Sequence, residues 1–329
     1  VSVLTYREGL RQALAEEMRR DDRVFLLGEE IADPFGGSFK VTLGLSTEFG
    51  DQRVRNTPIS EAAIVGAALG AALGGLRPVA EIMYVDFTTT CMDQIANQVA
   101  KLRYMTGGQA TIPLVIRTQG GAGQGSAAQH AQSLEGWFVH TPGLKIVMPA
   151  TPADAKGLLK SAIRDDDPVL FIEHKMLYGV RGDVPEGEHT TPLGVAEVKR
   201  PGNDITIVAY SRMVWRALEA AEIMATRGIS AEVIDLRTLF PLDTDTVINS
   251  VQKTAHLVIA SEAPSFAGFG GELAALVSYA AFDSLDAPIE RVSSAHVPVP
   301  FAPILEDQVI PTSADIVQGA NRALGIEQH

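Results

Sequence analysis

The chain has 329 residues, 46% of them hydrophobic and 20% charged, with a formal charge of −13; it is long enough for two cores of ordinary size, and its acidic balance excludes nucleic-acid and anionic-membrane partners, which need clustered Lys and Arg. A single cysteine, Cys91, excludes an internal disulfide. The opening VSVLTYREGL has no basic, apolar, small-residue leader pattern and no apolar run has the length and bulk to span a bilayer, which together predict a cytoplasmic protein.

In chain order, Leu10, Leu14 and Met18 form one apolar stripe and predict a helix over 5–20, followed by a strand over 24–27 that ends in Gly28, Glu29 and Glu30. The Gly-rich segment 31–50 has no period and reads as a surface loop with one short helix. A strand over 54–57 then delivers NTPISEAAIVGAALGAALGGLRP, where Glu61 opens an otherwise apolar, small-residue helix with Ser60 as its N-cap and Gly74, Gly75 and Pro78 as its stop. Such a helix, hydrophobic all round, is expected to be buried all round, and its Ala and Gly admit another backbone closely. On this reading Glu61 either satisfies a helix N-terminus or does chemistry.

Strands follow over 78–83 and 113–119, with a helix over 90–104 between them. The second strand, PLVIRTQ, is nearly continuously apolar, as suits a sheet covered on both faces, and it leaves through the flexible loop GGAGQGSAAQH. Strand, helix and strand recur over 145–149, 152–164 and 169–174, and the Gly-, Pro- and charge-rich 178–204 reads as an interdomain connection with room for a hairpin. A second alternation places strands over 205–210, 231–236, 256–261 and 289–292, and helices over 213–227, 243–251, 268–279 and 313–324. Alternating strands and helices predict two α/β domains in series, each a parallel sheet with helices on both faces.

Most well-known motifs are absent. The loop after the 113–119 strand contains Gly123, Gly125 and Ala128, formally GxGxxA, but it lies several residues beyond the strand end and has no acidic residue about 20 positions on. There is no GK[ST] phosphate loop, no GxSxG elbow and no HxxxH pair. What remains is a set of polar and aromatic residues at strand ends and loops of the first domain: Glu61, Phe87, Arg117 and His130. Asp165, Asp166 and Asp167 read as a solvated helix C-terminus whose main-chain carbonyls could hold a monovalent cation.

The segments TPISEAAIVGAALGAALGGLRPVAEIM, DQIANQVAKLRYMTGG, AAQHAQSLEGWFVHTPGLKIVMPATPADAKGLLKSAIRDDDPVLFIEH, AEVIDLRTLFPLD and PFAPILED resemble the E1 β subunits of 2-oxo acid dehydrogenase complexes, over nearly the whole chain. The likeness is to the pyruvate and acetoin branches, with the branched-chain enzymes further off. It implies two three-layer α/β/α domains, a transketolase-like pyrimidine-binding domain over 1–180 and a transketolase C-terminal domain over 205–329, joined by a linker over 181–204. It also implies thiamine diphosphate shared with an α subunit in an α2β2 assembly, and a second β subunit, an E2 acyltransferase and its lipoyl domain as further partners. The family's GDG motif for the diphosphate and Mg²⁺ is missing from this sequence, so the α subunit is expected to hold both.

By residue-for-residue match, Glu61 would hydrogen-bond the cofactor's pyrimidine nitrogen and promote its imino tautomer. Phe87 would stack on that ring, and Ile59 and Met83 would line it. Burial of Glu61 is expected to outweigh its helix end and favour the protonated acid. His130 would face the reacting carbons as a proton donor. Leu114, Ala162, Ile163, Asp165 and Asp167 fall where the family binds K⁺, chiefly through main-chain oxygens, with Asp167 at a position where some relatives have Asn. The second domain is expected to serve β–β contact and E2 docking. Two rivals are a non-catalytic docking subunit, against which Glu61 and His130 weigh, and a dinucleotide binder using Gly123 and Gly125.

Overall fold

The computed structural model describes residues 1–326; residues 327–329, with His329 and the end of the expected second domain, lie outside the described residues. The chain divides into two compact units, Val1–Gly120 with Trp137–Leu193, and Gly121–Gly136 with everything from Gly194 onward. Among the described residues no helix is long and apolar enough to cross a membrane.

The first unit opens with strand β1 (Ser2–Thr5) and helix α1 (Tyr6–Arg20), whose start is fixed by a reciprocal box: the Thr5 hydroxyl accepts from Glu8 N–H and the Glu8 side chain accepts from Thr5 N–H. β2 (Val24–Gly28), the short α2 (Leu45–Phe49), β3 (Val54–Asn56), α3 (Glu61–Leu73) and β4 (Arg77–Ile82) follow. Next come α4 (Leu102–Met105), β5 (Val115–Gly120), α5 (Glu135–Val139), β6 (Lys145–Val147), α6 (Pro152–Arg164), β7 (Val169–His174) and β8 (Arg181–Val184). The strands pair in parallel in the order β6-β7-β5-β4-β2-β3. On one face α1 and α6 bury Leu10, Leu14, Met18, Leu158 and Leu159 against Val24, Val79, Val115 and Phe171. Because strand side chains alternate, Ala80 and Ile82 point the other way, where α3 packs on β4.

Three expectations change here. The helix read over 90–104 is a 3₁₀ turn over Val85–Cys91, a π-type turn over Gln94–Val99 and only then α4. Its buried positions Cys91, Ile95 and Val99 are spaced by four, and the widened turn, with Ala100 N–H donating to Ile95 O at 3.1 Å, keeps all of them on the core face. α3 is not buried all round: Ile64, Val65, Ala68, Leu69 and Ala72 are covered, whereas Ala63, Ala67 and Gly70 form an open face. No hairpin forms in 178–204, because β8 pairs with β1 and the next strand, β9 (Glu197–Arg200), with a strand further on.

The second unit continues with β10 (Ile205–Ala209), α7 (Met213–Ala225), β11 (Ala231–Asp235), β12 (Thr238–Phe240), α8 (Thr244–Thr254) and β13 (Leu257–Pro264). It ends with α9 (Phe269–Ala280), β14 (Glu290–Ser294), α10 (Pro303–Val309) and α11 (Ser313–Ala323). Its sheet runs β14-β13-β10-β11-β9, parallel except for β9. Helices α7 and α11 pack together over β11, β13 and β14, and α8 and α9 contact β10 and β13. Both units are thus α/β, as the alternation predicts.

Candidate active site

Strand β2 leads directly into Glu29, and β3 leads through Pro58 and Ser60 into Glu61, the first residue of α3. Both carboxyls therefore stand at carboxyl ends of parallel strands, where open α/β sheets collect ligands. Ser60 occupies the N-cap position, but its hydroxyl makes no capping bond. Glu29 is buried, 8% exposed, and its Oε1 has no hydrogen-bond partner. Burial, followed by the charges of Glu61, Glu30 and Glu81, pushes its carboxyl above the ordinary value. Glu61 itself is half-buried.

The residues expected to line the pyrimidine ring differ in exposure. Ile59 is 82% exposed, while Met83, just past β4, and Phe87, in the 3₁₀ turn, are half-buried. The turn packs on α3. Cys91 at its end feels the same carboxylate: burial first, then the Glu61 charge, push its thiol up to about 12. That thiol stays protonated at neutral pH and has no nucleophilic role.

Arg117, grouped with the candidate residues by sequence, proves to be structural. It is 1% exposed on β5 and bridges two strands, with Nη1 donating to Glu81 Oε2 at 2.7 Å, and Nε and Nη2 donating to Glu173 Oε1 and Oε2 at 2.6 and 2.8 Å. Tyr178 O–H donates to Glu173 Oε2 at 2.5 Å, and Gln119 Nε2 to Glu81 Oε1 at 3.3 Å. Burial alone would favour a neutral guanidinium, but the two carboxylates hold Arg117 above its usual value.

His130 lies in the stretch 121–136, which groups by its contacts with the second compact unit. It is half-buried. The loop closes on itself where Gly121 N–H donates to Gln132 O at 3.1 Å. Its Gly123 and Gly125 amides, which a dinucleotide site would turn toward phosphates, both donate to Glu306, at 2.7 and 2.9 Å. The dinucleotide rival loses its anchor, since an internal carboxylate already fills that place.

At the end of α6 the expected cation carbonyls are engaged as follows. Leu114 O accepts from Val169 N–H at 2.9 Å and Ala162 O from Asp165 N–H at 3.3 Å. Ile163 O and Asp165 O converge on Arg77 Nη1, each at 3.0 Å. The Asp165 carboxylate pairs with Lys145 at 2.7 Å, and Asp167 with Lys145 and Arg103 at 3.2 and 2.5 Å. Their side chains are thus committed, and only main-chain oxygens, each with a second lone pair, are left for a cation.

Residues 2–181 match the family described as transketolase, pyrimidine binding domain, and residues 194–316 that described as transketolase, C-terminal domain. The chain is 50% identical to the acetoin:2,6-dichlorophenolindophenol oxidoreductase subunit beta of Cupriavidus necator, covering 99% of both chains. It is 49% identical to the pyruvate dehydrogenase E1 component subunit beta of Rickettsia felis, covering 97% of this chain and 98% of that one. The chain belongs to the pyruvate and acetoin dehydrogenase E1 β-subunit family. A solved structure titled split gene transketolase, inactive beta4 tetramer, superposes with a TM-score of 0.79 over 99% of this chain and 100% of that one, at 23% identity, and supports the fold.

Membership in the E1 β family implies thiamine diphosphate, and the residues fit one end of it: a half-buried carboxyl at the start of α3, with Phe87 in the turn that packs on that helix, suits a flat heterocycle bearing a basic nitrogen. In the sequence Glu29 stands out only as a strand end, and Glu262 and Glu306 carry no local signal of a role. For Glu29 the signal was available, a carboxyl directly after an apolar strand; Glu306 sits in PFAPILED, a segment that carried the E1 β resemblance without an assigned task.

Proposed function

We propose that this chain is the β subunit of a thiamine diphosphate-dependent E1 that decarboxylates a 2-oxo acid of the pyruvate type and passes the acyl group to the lipoyl domain of an E2 acyltransferase. The observation that carries the reading is Glu61 in the first turn of α3, at the strand ends of the first unit, with Phe87 in the 3₁₀ turn that packs on that helix. When bound, thiamine diphosphate supplies a nucleophilic carbon and an electron sink for the departing carboxylate. Glu61 would hydrogen-bond the pyrimidine nitrogen and hold the proton that favours its imino tautomer, Phe87 would offer its ring face, and Ile59 and Met83 would line the ring. His130 delivers a proton at the reacting carbons and during transfer to the lipoyl group.

The activity requires an α subunit, which supplies the diphosphate and Mg²⁺ site that this sequence lacks. The open face of α3 and the exposed Ile59 support a site completed by a companion chain in an α2β2 assembly in the cytoplasm. K⁺ is proposed at the carbonyls of Leu114, Ala162, Ile163, Asp165 and Asp167. Cleavage of acetoin is the second reading, supported by a relative of that name at 50% identity.

The test is reconstitution with the α subunit and thiamine diphosphate, following reduction of a dye acceptor with pyruvate, acetoin or a branched-chain 2-oxo acid. Glu61→Ala should lower turnover by about 10²–10⁴-fold, while the complex still assembles. Wild-type turnover in that variant would remove the assignment, and a complex inert toward every substrate would favour a docking subunit.

A further inference from the structure

The loop that carries His130 is built as a held object. Gly123 and Gly125 have φ of 106° and 62°, the left-handed region that suits glycine, and their N–H groups converge on the two oxygens of one carboxylate, Glu306 Oε1 at 2.7 Å and Oε2 at 2.9 Å. One residue earlier, Ala122 N–H donates to Glu262 Oε1 at 2.6 Å, and Arg212 Nη1 donates to Ala122 O at 3.2 Å while standing 3.8 Å from Glu262 Oε2. At the far end Tyr210 O–H donates to Glu135 Oε1 at 2.8 Å. Glu306 and Glu262 are 3% and 7% exposed, so neither carboxylate is a surface ornament. Glu306 stands on α10.

We propose that Glu306 is a positioning residue for His130, acting as the internal anion of the Gly123–Gly125 nest, with Glu262 holding the preceding amide. The second unit thereby supplies more than docking surface: its own acids set the course of the loop on which the proton donor rides. A carboxylate is required because two N–H donors face two oxygens; a glutamine offers one acceptor and turns an amide donor against the other N–H. The proposal rests on the role given above to His130.

The experiment uses the full chain reconstituted with its α subunit and compares wild type, Glu306→Gln, Glu306→Asp and His130→Ala, with pyruvate and a dye acceptor. Glu306→Gln should lower kcat about tenfold or more, leave thiamine diphosphate affinity and the KM for pyruvate within about twofold, and displace the limb of the pH profile that His130→Ala abolishes. Amide exchange at Gly123 and Gly125 should speed up in the same variant, and Glu306→Asp should recover part of kcat. A merely structural role would lower thermal stability and leave the pH profile in place, which would overturn the proposal. Unchanged exchange at the two glycines would overturn the positioning itself. Full activity in His130→Ala would instead overturn the reading of that histidine, and the catalytic half of the proposal with it. Should Glu306→Gln fail to assemble, Glu306→Asp carries the same comparison, with wild-type kcat and exchange counting against the proposal.

Discussion

Glu29, directly after β2, is held above the ordinary carboxyl range by its burial and next by the negative charge of Glu61 at the start of α3. Because the folded-state value is raised, the stability linked to its proton is fully present below about 4.5, the unfolded value, and is lost as pH rises through the folded one. Glu29→Gln removes that loss, so its urea midpoint should gain on wild type as pH rises from 4.5 toward neutrality. Glu61→Gln should make the same wild-type slope shallower, since one of the opposing charges is gone. Parallel stability curves for wild type and Glu29→Gln would sink the coupling.

Arg117 pairs with both of the buried carboxylates Glu81 and Glu173. Arg117→Met strands two carboxylates in the sheet and should cost about 3–5 kcal/mol, read as a fall in urea midpoint for the first unit. Arg117→Lys keeps the charge but not the bidentate fork, and should fall between the two. A loss below about 1 kcal/mol in Arg117→Met would mean that the carboxylates are already protonated or watered.

The K⁺ reading has a test independent of turnover. If main-chain oxygens at the end of α6 bind the ion, thermal stability should be higher in KCl than in NaCl at equal ionic strength, by about 1.4 kcal/mol at ten times the dissociation constant. Arg77→Met removes the guanidinium that shares Ile163 O and Asp165 O. Loss of that competing cation should widen the K⁺ effect. Equal melting in the two salts, in wild type and variant alike, would remove K⁺ from the site.

The sequence by itself determined the alternation of strands and helices, the placing of Glu61 at a helix start, and the family, because each of these is a local pattern of a few residues or a match along the chain. Only the tertiary structure decided that α3 keeps an open face, that Arg117 belongs to an ion cluster, and that the loop of His130 groups with the second unit. These depend on partners far apart in sequence, such as Gly123 and Glu306 at a separation of 183 residues. No periodicity encodes such a pair: it forms only when folding brings two buried groups together and desolvation penalises leaving either one unmatched.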